Sequence, residues 1–535
     1  MTSSATRQAG ALTARLHIAS SVALTALTVL MLAAYFPLVA DDAYIVARYA
    51  QQLYAGHGLV FNPGERINAV TSPLLTLVVA LLYPLARDPV TVYRIAASVV
   101  VAWTLVALAR RAYRATHDRL LFLALTLASP FVAFWAIGGL ETPLLLSACS
   151  WLTWLALSAS PGHDGRRAAQ IIALATVAVL ARYDAALYVA PVAALYLWRY
   201  RGDRRAVFVA MACVAVVAGW IGFTYAYYGD IFPTSFYVKL AGDEPFGGVV
   251  RGAGYAVSFG VLALVIPLAA FRPWRGAPLS DERRTAVAML GAGMLLELGY
   301  AIFAGDTHMM YAYRLFVPYL PSLVLLLLRA DETRNAGTAA GRTQAGLALA
   351  LLGWQALLGA FLYYGSENPN LSLLFRKQEI GNESYEFSTI GARYTKPFLA
   401  AVRASASEID AHWKTVAQSK SRPLRIAALT GGMLPYHLPE AYVLETLASY
   451  RRRCTVELTA AADYAQVVQN ADAPSPPAKL FGSDDGAWQL ISKHEMTVNG
   501  WQNKPFRLRV DIWYHALPAP LILPSTVGEP CRSAT

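Results

Sequence analysis

Two adjacent carboxylates, Asp41 and Asp42, follow directly on a long apolar stretch running roughly from Leu16 to Ala40. Charge beside hydrocarbon is disfavoured, so the pair belongs at the water boundary. There a carboxylate can take a proton, ligate a metal or hold a cation. The plainer reading is a polar helix end that stops the segment sliding inward. Arg48, Tyr49 and the run Gly56-His57-Gly58-Leu59-Val60-Phe61-Asn62-Pro63-Gly64-Glu65 come next, then Thr71-Ser72-Pro73. Four more polar clusters interrupt apolar segments further on. They are Gly138-Gly139-Leu140-Glu141-Thr142-Pro143, Arg182-Tyr183-Asp184, the stretch from Tyr227, Tyr228 and Asp230 to Tyr237 and Lys239, and Gly305-Asp306-Thr307-His308 with Arg314. Each alone has an ordinary explanation. Acids favour helix starts, Arg182 and Asp184 can pair with each other, and tyrosines form interfacial belts. Together they offer cations for a phosphate, aromatic rings for a sugar face, apolar walls for a lipid tail, and a carboxylate to deprotonate a hydroxyl.

The elements that must position these groups are membrane helices. Of 535 residues, 56% are hydrophobic and 15% charged, against roughly 25% charged in soluble domains. The net charge of +11 does not indicate nucleic acid, because the arginines cluster between apolar segments, as at Arg110-Arg111, Arg166-Arg167, Arg204-Arg205 and Arg283-Arg284. The first apolar segment is too long for the core of a signal peptide, and it reads as an uncleaved span. Thr71–Leu85 is short and bracketed by Pro73 and Pro84. Placing it at the outer face, without crossing, puts every basic loop inside. Segments near 90–109, 119–137, 142–159, 168–182, 184–199, 205–226, 252–271, 285–304, 311–329 and 343–364 then alternate in direction. With the first segment that makes about 11 spans, with the N-terminus inside and the C-terminus outside. All five polar clusters fall on the outer side.

Residues 1–364 are therefore expected to form an all-α polytopic membrane bundle. From 365 to 535 apolar runs shorten and prolines punctuate the chain, as expected of a soluble mixed α/β domain outside the cytoplasm. A helix is predicted over Lys396–Ser419, and strands over Leu424–Leu429, Ala441–Thr446, Ala487–Ser492 and Arg507–Tyr514. Gly431-Gly432 marks a turn and no GxGxxG fingerprint is present. Cys149 and Cys213 lie in apolar segments; Cys454 and Cys531, outside the cytoplasm, are expected to form a disulfide. No CxxC or HExxH pattern marks a structural zinc site.

The string Asp41-Asp42-Ala43-Tyr44, Arg48-Tyr49, Gly56–Glu65 and Thr71-Ser72-Pro73 resembles the GT-C superfamily of polyprenyl-phosphate-sugar-dependent glycosyltransferases. Gly139-Leu140-Glu141-Thr142, the Tyr228–Lys239 stretch and Gly305-Asp306 with Arg314 and Pro318 resemble its arabinofuranosyltransferase branch, which modifies mycobacterial cell walls and pilins. The resemblance covers about the first 320 residues well and the remainder only in outline. It implies a multispan bundle with its active site at the outer face and an essential acid in the first outer loop, which Asp41 or Asp42 matches. Asp41 is taken as the base and Asp42 as the group that orients or binds acceptor hydroxyls. Lys239, Arg182 and Arg314 are expected at the donor phosphate. Arg48, His57, Glu141, Tyr228, Asp230, Tyr237, Asp306 and His308 are expected at the sugar or acceptor. The pattern departs from the branch at Arg182-Tyr183-Asp184, where a proline after the arginine is expected, and after Asp306, where an aromatic is expected.

The expected activity is transfer of D-arabinofuranose from a polyprenyl phosphate to a glycan or glycoprotein at the periplasmic face of a bacterial inner membrane. Lipid donor, acceptor and bilayer are the expected partners, with no nucleic acid. No cofactor is assigned; a divalent ion could share the charge-stabilising task, but no ligand set stands out. Transferases of the same fold acting on mannose or an aminosugar are the main alternative. A transporter of lipid-linked sugars fits less well, since transporters place polar groups near the midplane.

Overall fold

The structure, a computed structural model, describes residues 2–158, 165–234, 236, 245–265, 280–303, 311–328, 338–364, 392–416, 422–428, 431–445, 462–470, 488–499, 505–515 and 518. It is mostly helical, with a small mixed sheet toward the C-terminus. The helices are α1 (Thr2–Tyr35), α2 (Asp42–Tyr54), α3 (Pro73–Leu82), α4 (Pro89–Ala112), α5 (Thr116–Leu125), α6 (Pro130–Ile137), α7 (Thr142–Leu157), α8 (Gly165–Ala181), α9 (Ala186–Arg199), α10 (Arg204–Tyr228), α11 (Pro245–Phe259), α12 (Asp281–Phe303), α13 (Leu320–Leu327), α14 (Thr338–Tyr364), α15 (Ala392–Val416) and α16 (Met433–Tyr436).

Local sequence explains the starts. Ser72 accepts from the backbone N–H of Leu75 ahead of α3, and Asp88 does the same from Thr91 ahead of α4, each with proline in the first turn. Asp203 caps α10 by accepting from Arg205 and Ala206.

By length and composition, four helices among the described residues suffice to cross a membrane: Ala11–Tyr35, Pro89–Ala112, Arg204–Tyr228 and Asp281–Phe303. The expected span over 119–137 consists of two helices, α5 and α6, bent by 62° at the break before Pro130. Proline offers no N–H there, and Thr126 turns its hydroxyl back onto the Phe122 carbonyl. Other expected spans, such as Thr142–Leu157 and Val317–Leu327, are shorter apolar helices. Thr71–Leu85 is a short helix closed by a 3-10 turn, with Leu77, Leu81 and Leu85 exposed. On α10, Phe208, Met211 and Val214 point outward, as lipid-facing side chains do.

The sheet runs β2 (Tyr442–Glu445), β1 (Arg425–Ala428), β3 (Tyr464–Asn470), β5 (Pro505–His515), β4 (Trp488–Asn499). The first three strands are parallel and the last two pairings antiparallel. All four strands read from the sequence are present, β3 was not foreseen, and α15 begins four residues earlier than expected. The apolar core of α15 and the sheet (Val402, Ile409, Ile426, Val443, Ile512) is continuous with that of α1, α2 and α6 through Met433 and Leu434. A second core joins α7, α8, α9 and α12. The boundary expected at 364/365 falls at the edge of residues 365–391, which lie outside the described residues, as do Cys454 and Cys531.

Candidate active site

The loop between α1 and α2 ends on Asp41, just before Asp42 opens α2, and it is tied down on both sides. The Ala40 N–H donates to the Gly138 carbonyl at 2.9 Å, joining this loop to the one before Glu141. Gly139 sits at φ +90°, and a Cβ there would meet the Ala43 methyl at 2.9 Å, so glycine lets the two loops touch. Arg94 of α4, buried, donates from Nε to the Ile137 carbonyl at 2.6 Å and from Nη2 to the Phe36 and Leu38 carbonyls. Tyr93 donates to the Leu140 carbonyl at 2.8 Å. Two neighbours on one helix thus satisfy carbonyls left over at the ends of α1 and α6.

The two aspartates differ. Asp41 is partly buried and accepts from the backbone N–H groups of Gly432 and Met433 at 2.7 and 2.8 Å, one per carboxylate oxygen. Burial pushes its carboxyl up to about 6, while those two N–H bonds pull the other way. A Cβ on Gly432 would fall on the Asp41 backbone oxygen, so only glycine allows this approach. Asp42, the first residue of α2, is 30% exposed at its side chain, and its Oδ2 lies 3.8 Å from Arg314 Nη1.

From Arg314 a row of charges runs inward. Its Nη2 donates to both oxygens of Glu141, at 2.9 and 3.2 Å. Arg182 Nη1 lies 3.6 Å from Glu141, and its Nε donates to Asp184 at 2.9 Å while Nη2 pairs with the other Asp184 oxygen. Burial alone would raise the Glu141 carboxyl; Arg314 and Arg182 outweigh it and hold it below the usual carboxylate range. Arg314 follows Ala312 and Tyr313, both in the left-handed region at φ +47° and +56°, a strained conformation for residues with side chains. Trp135 helps hold that kink, donating from Nε1 to the Ala312 carbonyl at 3.0 Å under the Arg314 guanidinium. Arg314 Nε is buried without a hydrogen-bond partner. Arg182 itself is extended at φ −154°, ψ 131°. The chain therefore breaks after α8 without the proline expected there, and the Arg182–Asp184 fork stabilises the break.

No model of a known protein family matches the chain. It is similar to a mycobacterial arabinofuranosyltransferase. That protein, the terminal β-(1→2)-arabinofuranosyltransferase of Mycobacterium tuberculosis (strain ATCC 25618 / H37Rv), is 28% identical over 368 residues, 59% of this chain and 57% of the relative. The chain thus spans little more than half the length of the relative it matches. The resemblance drawn from the Asp41–Pro73 string is borne out by this match. Among solved structures, ArnT from Cupriavidus metallidurans bound to undecaprenyl phosphate aligns with 92% of this chain and 97% of its own, at 14% identity and a TM-score of 0.47. The apo state of the same protein gives 14% identity, 92% and 98% coverage, and 0.48.

Asp41, Asp42, Glu141, Arg182 and Arg314 thus come together, as the sequence reading placed them on one face. Others expected at the sugar or acceptor are engaged elsewhere. Arg48, fully buried, donates to the carbonyls of Phe61 (2.8 Å), Pro435, Leu438 (3.2 Å) and Ala441 (2.7 Å). It clamps the C-terminal segment and the Gly56–Glu65 run onto α2. Tyr228 donates to the Leu59 carbonyl at 2.7 Å, so it too holds that run. His57 is exposed on its rim, and Asp230 is half-buried beyond the end of α10. Tyr237, Lys239, Asp306 and His308 lie outside the described residues. Sequence reasoning missed Arg94, although a lone arginine inside an apolar helix was a signal. It also missed Asn62, which exchanges two hydrogen bonds with the Val443 backbone at 2.9 and 3.0 Å. Among the described residues, no group of three or more His, Cys, Asp or Glu side chains is arranged to hold a metal. Cys149 and Cys213 are free thiols.

Proposed function

We propose that the chain is a membrane-embedded glycosyltransferase that moves a sugar, D-arabinofuranose, from a polyprenyl phosphate to an acceptor hydroxyl on a glycan or glycoprotein. The observation that carries the reading is a half-exposed carboxylate, Asp42, set against the buried Arg314–Glu141–Arg182 row. The similarity to an arabinofuranosyltransferase supports the sugar.

In this reading the roles within the aspartate pair are the reverse of the sequence expectation. Asp42 accepts the acceptor O–H proton as that oxygen attacks the anomeric carbon, and the bond from the anomeric carbon to the phosphate oxygen breaks. Asp41 has both oxygens engaged by Gly432 and Met433 and positions the start of α2. Charge grows on the departing lipid phosphate, and preorganised cations lower the barrier there. Arg314 has an unused buried N–H for that task, whereas the Arg182 guanidinium is held by Asp184 and Glu141. Lys239 keeps its proposed phosphate role on sequence grounds. The site lies at the periplasmic face of an inner membrane, with 365–535 beside it as a domain that contacts the acceptor.

The test is direct. Full-length protein in nanodiscs is given a synthetic polyprenyl-phosphate arabinofuranose and a mixture of envelope acceptors, and transfer is followed by mass spectrometry. Transfer that Asp42→Asn removes supports the proposal. Turnover of a polyprenyl-phosphate hexose alone would keep the reaction and discard arabinose. Inactivity on every lipid donor would refute the reading.

A further inference from the structure

Near the charge row stands an acid that the proposed reaction leaves unused. Glu297 lies on α12, six residues before its end at Phe303, or about 9 Å along the axis. It is 2% exposed, and neither carboxylate oxygen has a hydrogen-bond partner. Buried polar atoms are almost always paired, and an ionisable group within an apolar bundle is retained for a purpose. α12 presses on α9 there: a Cβ on Gly293, one turn earlier, would fall on the Tyr188 carbonyl. The Tyr319 hydroxyl stands beside the Glu297 carboxyl and is otherwise unpartnered. The Tyr319 ring packs on Tyr188 at 4.9 Å, and the Tyr188 hydroxyl belongs to a closed set with Thr153 and Ser322. Arg182 and Asp184 are near enough to act on the Glu297 charge.

Near Asp42 and Glu141 the unpartnered atoms include a cationic donor, Arg314 Nε, and the Thr142 hydroxyl; at α12 they are the two Glu297 carboxyl oxygens and the Tyr319 phenol. A phosphate suits the first; among the described residues the second has no unpartnered cationic donor to offer it. A metal ion finds too few ligands at the second, and Arg182 stands beside it. A neutral group with adjacent hydroxyls suits it well: each carboxylate oxygen accepts one O–H, and the phenol supplies a further donor or acceptor.

We propose that Glu297, with Tyr319 beside it, binds adjacent ring hydroxyls of the sugar carried by the lipid phosphate and so selects the donor sugar. This rests on the functional reading above and adds where the sugar sits: below the Arg314 phosphate contact, on the floor of the site.

The experiment compares wild type with Glu297→Ala, Glu297→Gln and Tyr319→Phe, full-length in nanodiscs. The donors are polyprenyl-phosphate arabinofuranose and analogues lacking one or another ring hydroxyl. Wild type is expected to discriminate against the deoxy donors. Glu297→Ala raises the donor KM by about 10–100-fold, changes kcat much less and loses that discrimination. Glu297→Gln, which keeps one acceptor, restores part of it. If Glu297→Ala does not fold, Glu297→Gln and Tyr319→Phe are expected to show the same KM rise to a smaller degree. An unchanged KM and unchanged discrimination in these variants, with wild type active, would overturn the proposal alone. So would transfer abolished by a chelator and restored by a divalent ion in proportion to the Glu297 carboxylate. Wild type inert on every lipid-phosphate sugar would take down the functional reading and this inference with it.

Discussion

Asparagine at position 41 and asparagine at position 42 are expected to do different things. The Asp41 carboxyl is raised from 3.8 to about 6, chiefly by burial. That difference corresponds to at most about 3 kcal/mol, less whatever solvent reaches this partly buried residue. A carboxyl raised in the folded state contributes stability that is fully present below 3.8 and is lost as pH rises through about 6. Asparagine does not titrate. It keeps one acceptor for Gly432 or Met433 and turns an N–H₂ toward the other N–H, a loss of about 1–3 kcal/mol. At pH 7.5 this loss is offset by not burying a charge, so Asp41→Asn melts near wild type. At pH 5 the offset shrinks and the variant melts lower. Its transfer rate stays within about tenfold, since the proton acceptor is elsewhere. Asp42→Asn leaves the melting curve unchanged at both pH values and lowers kcat by about 10²–10⁴-fold. The assays are tryptophan-fluorescence melting in nanodiscs at the two pH values and initial transfer rates. Asp41→Asn as inactive as Asp42→Asn, with an unaltered melting curve, would refute the division of roles and make Asp41 the base.

Three further outcomes are expected. Glu141→Gln leaves the buried Arg314 with only Asp42, 3.8 Å away, as counter-charge, while Arg182 keeps Asp184, and it destabilises by about 3–5 kcal/mol, read as a lowered melting temperature together with lost transfer. Arg94→Met strips donors from the Phe36, Leu38 and Ile137 carbonyls at a cost of about 2–5 kcal/mol, and Arg94→Lys recovers only part of it, in melting and in rate alike. Gly432→Ala drives a methyl onto the Asp41 carbonyl and loosens the C-terminal segment, so limited proteolysis near 431–445 is expected to speed up while the bundle stays intact.

What was legible in the sequence was whatever hydrophobic runs and local chemistry decide. The helix starts at Ser72 and Asp88 and four of the five strands follow from pattern and capping. β3 did not, because Tyr464–Asn470 mixes glutamine and asparagine with its apolar residues and becomes a strand only between β1 and β5. The bend within 119–137 was not legible for a related reason: hydropathy counts apolar residues and is blind to a break at Pro130.

The site was legible as a face but not as a division of labour. Arg48 was expected at the sugar or acceptor and Arg94 was not singled out, yet both bind no acid among the contacts above; they bind carbonyls. Helix ends leave carbonyls without partners, and in an apolar setting a guanidinium, with five donors in a rigid fork, is the side chain best able to satisfy several at once. α1 and α6 end beside Arg94; the turn through Pro435, Leu438 and Ala441 ends beside Arg48. An arginine near such ends is drawn into structure, and one facing carboxylates, as Arg314 does, is left with a donor to offer. Sequence spacing does not record which helix ends will meet, so it placed Arg48 at the sugar or acceptor and set Arg182 and Arg314 alike at the phosphate. The distinction appears only once Asp41 is caught by Gly432 and Met433, and it is the same contact that moves the proposed proton acceptor one residue along, to Asp42.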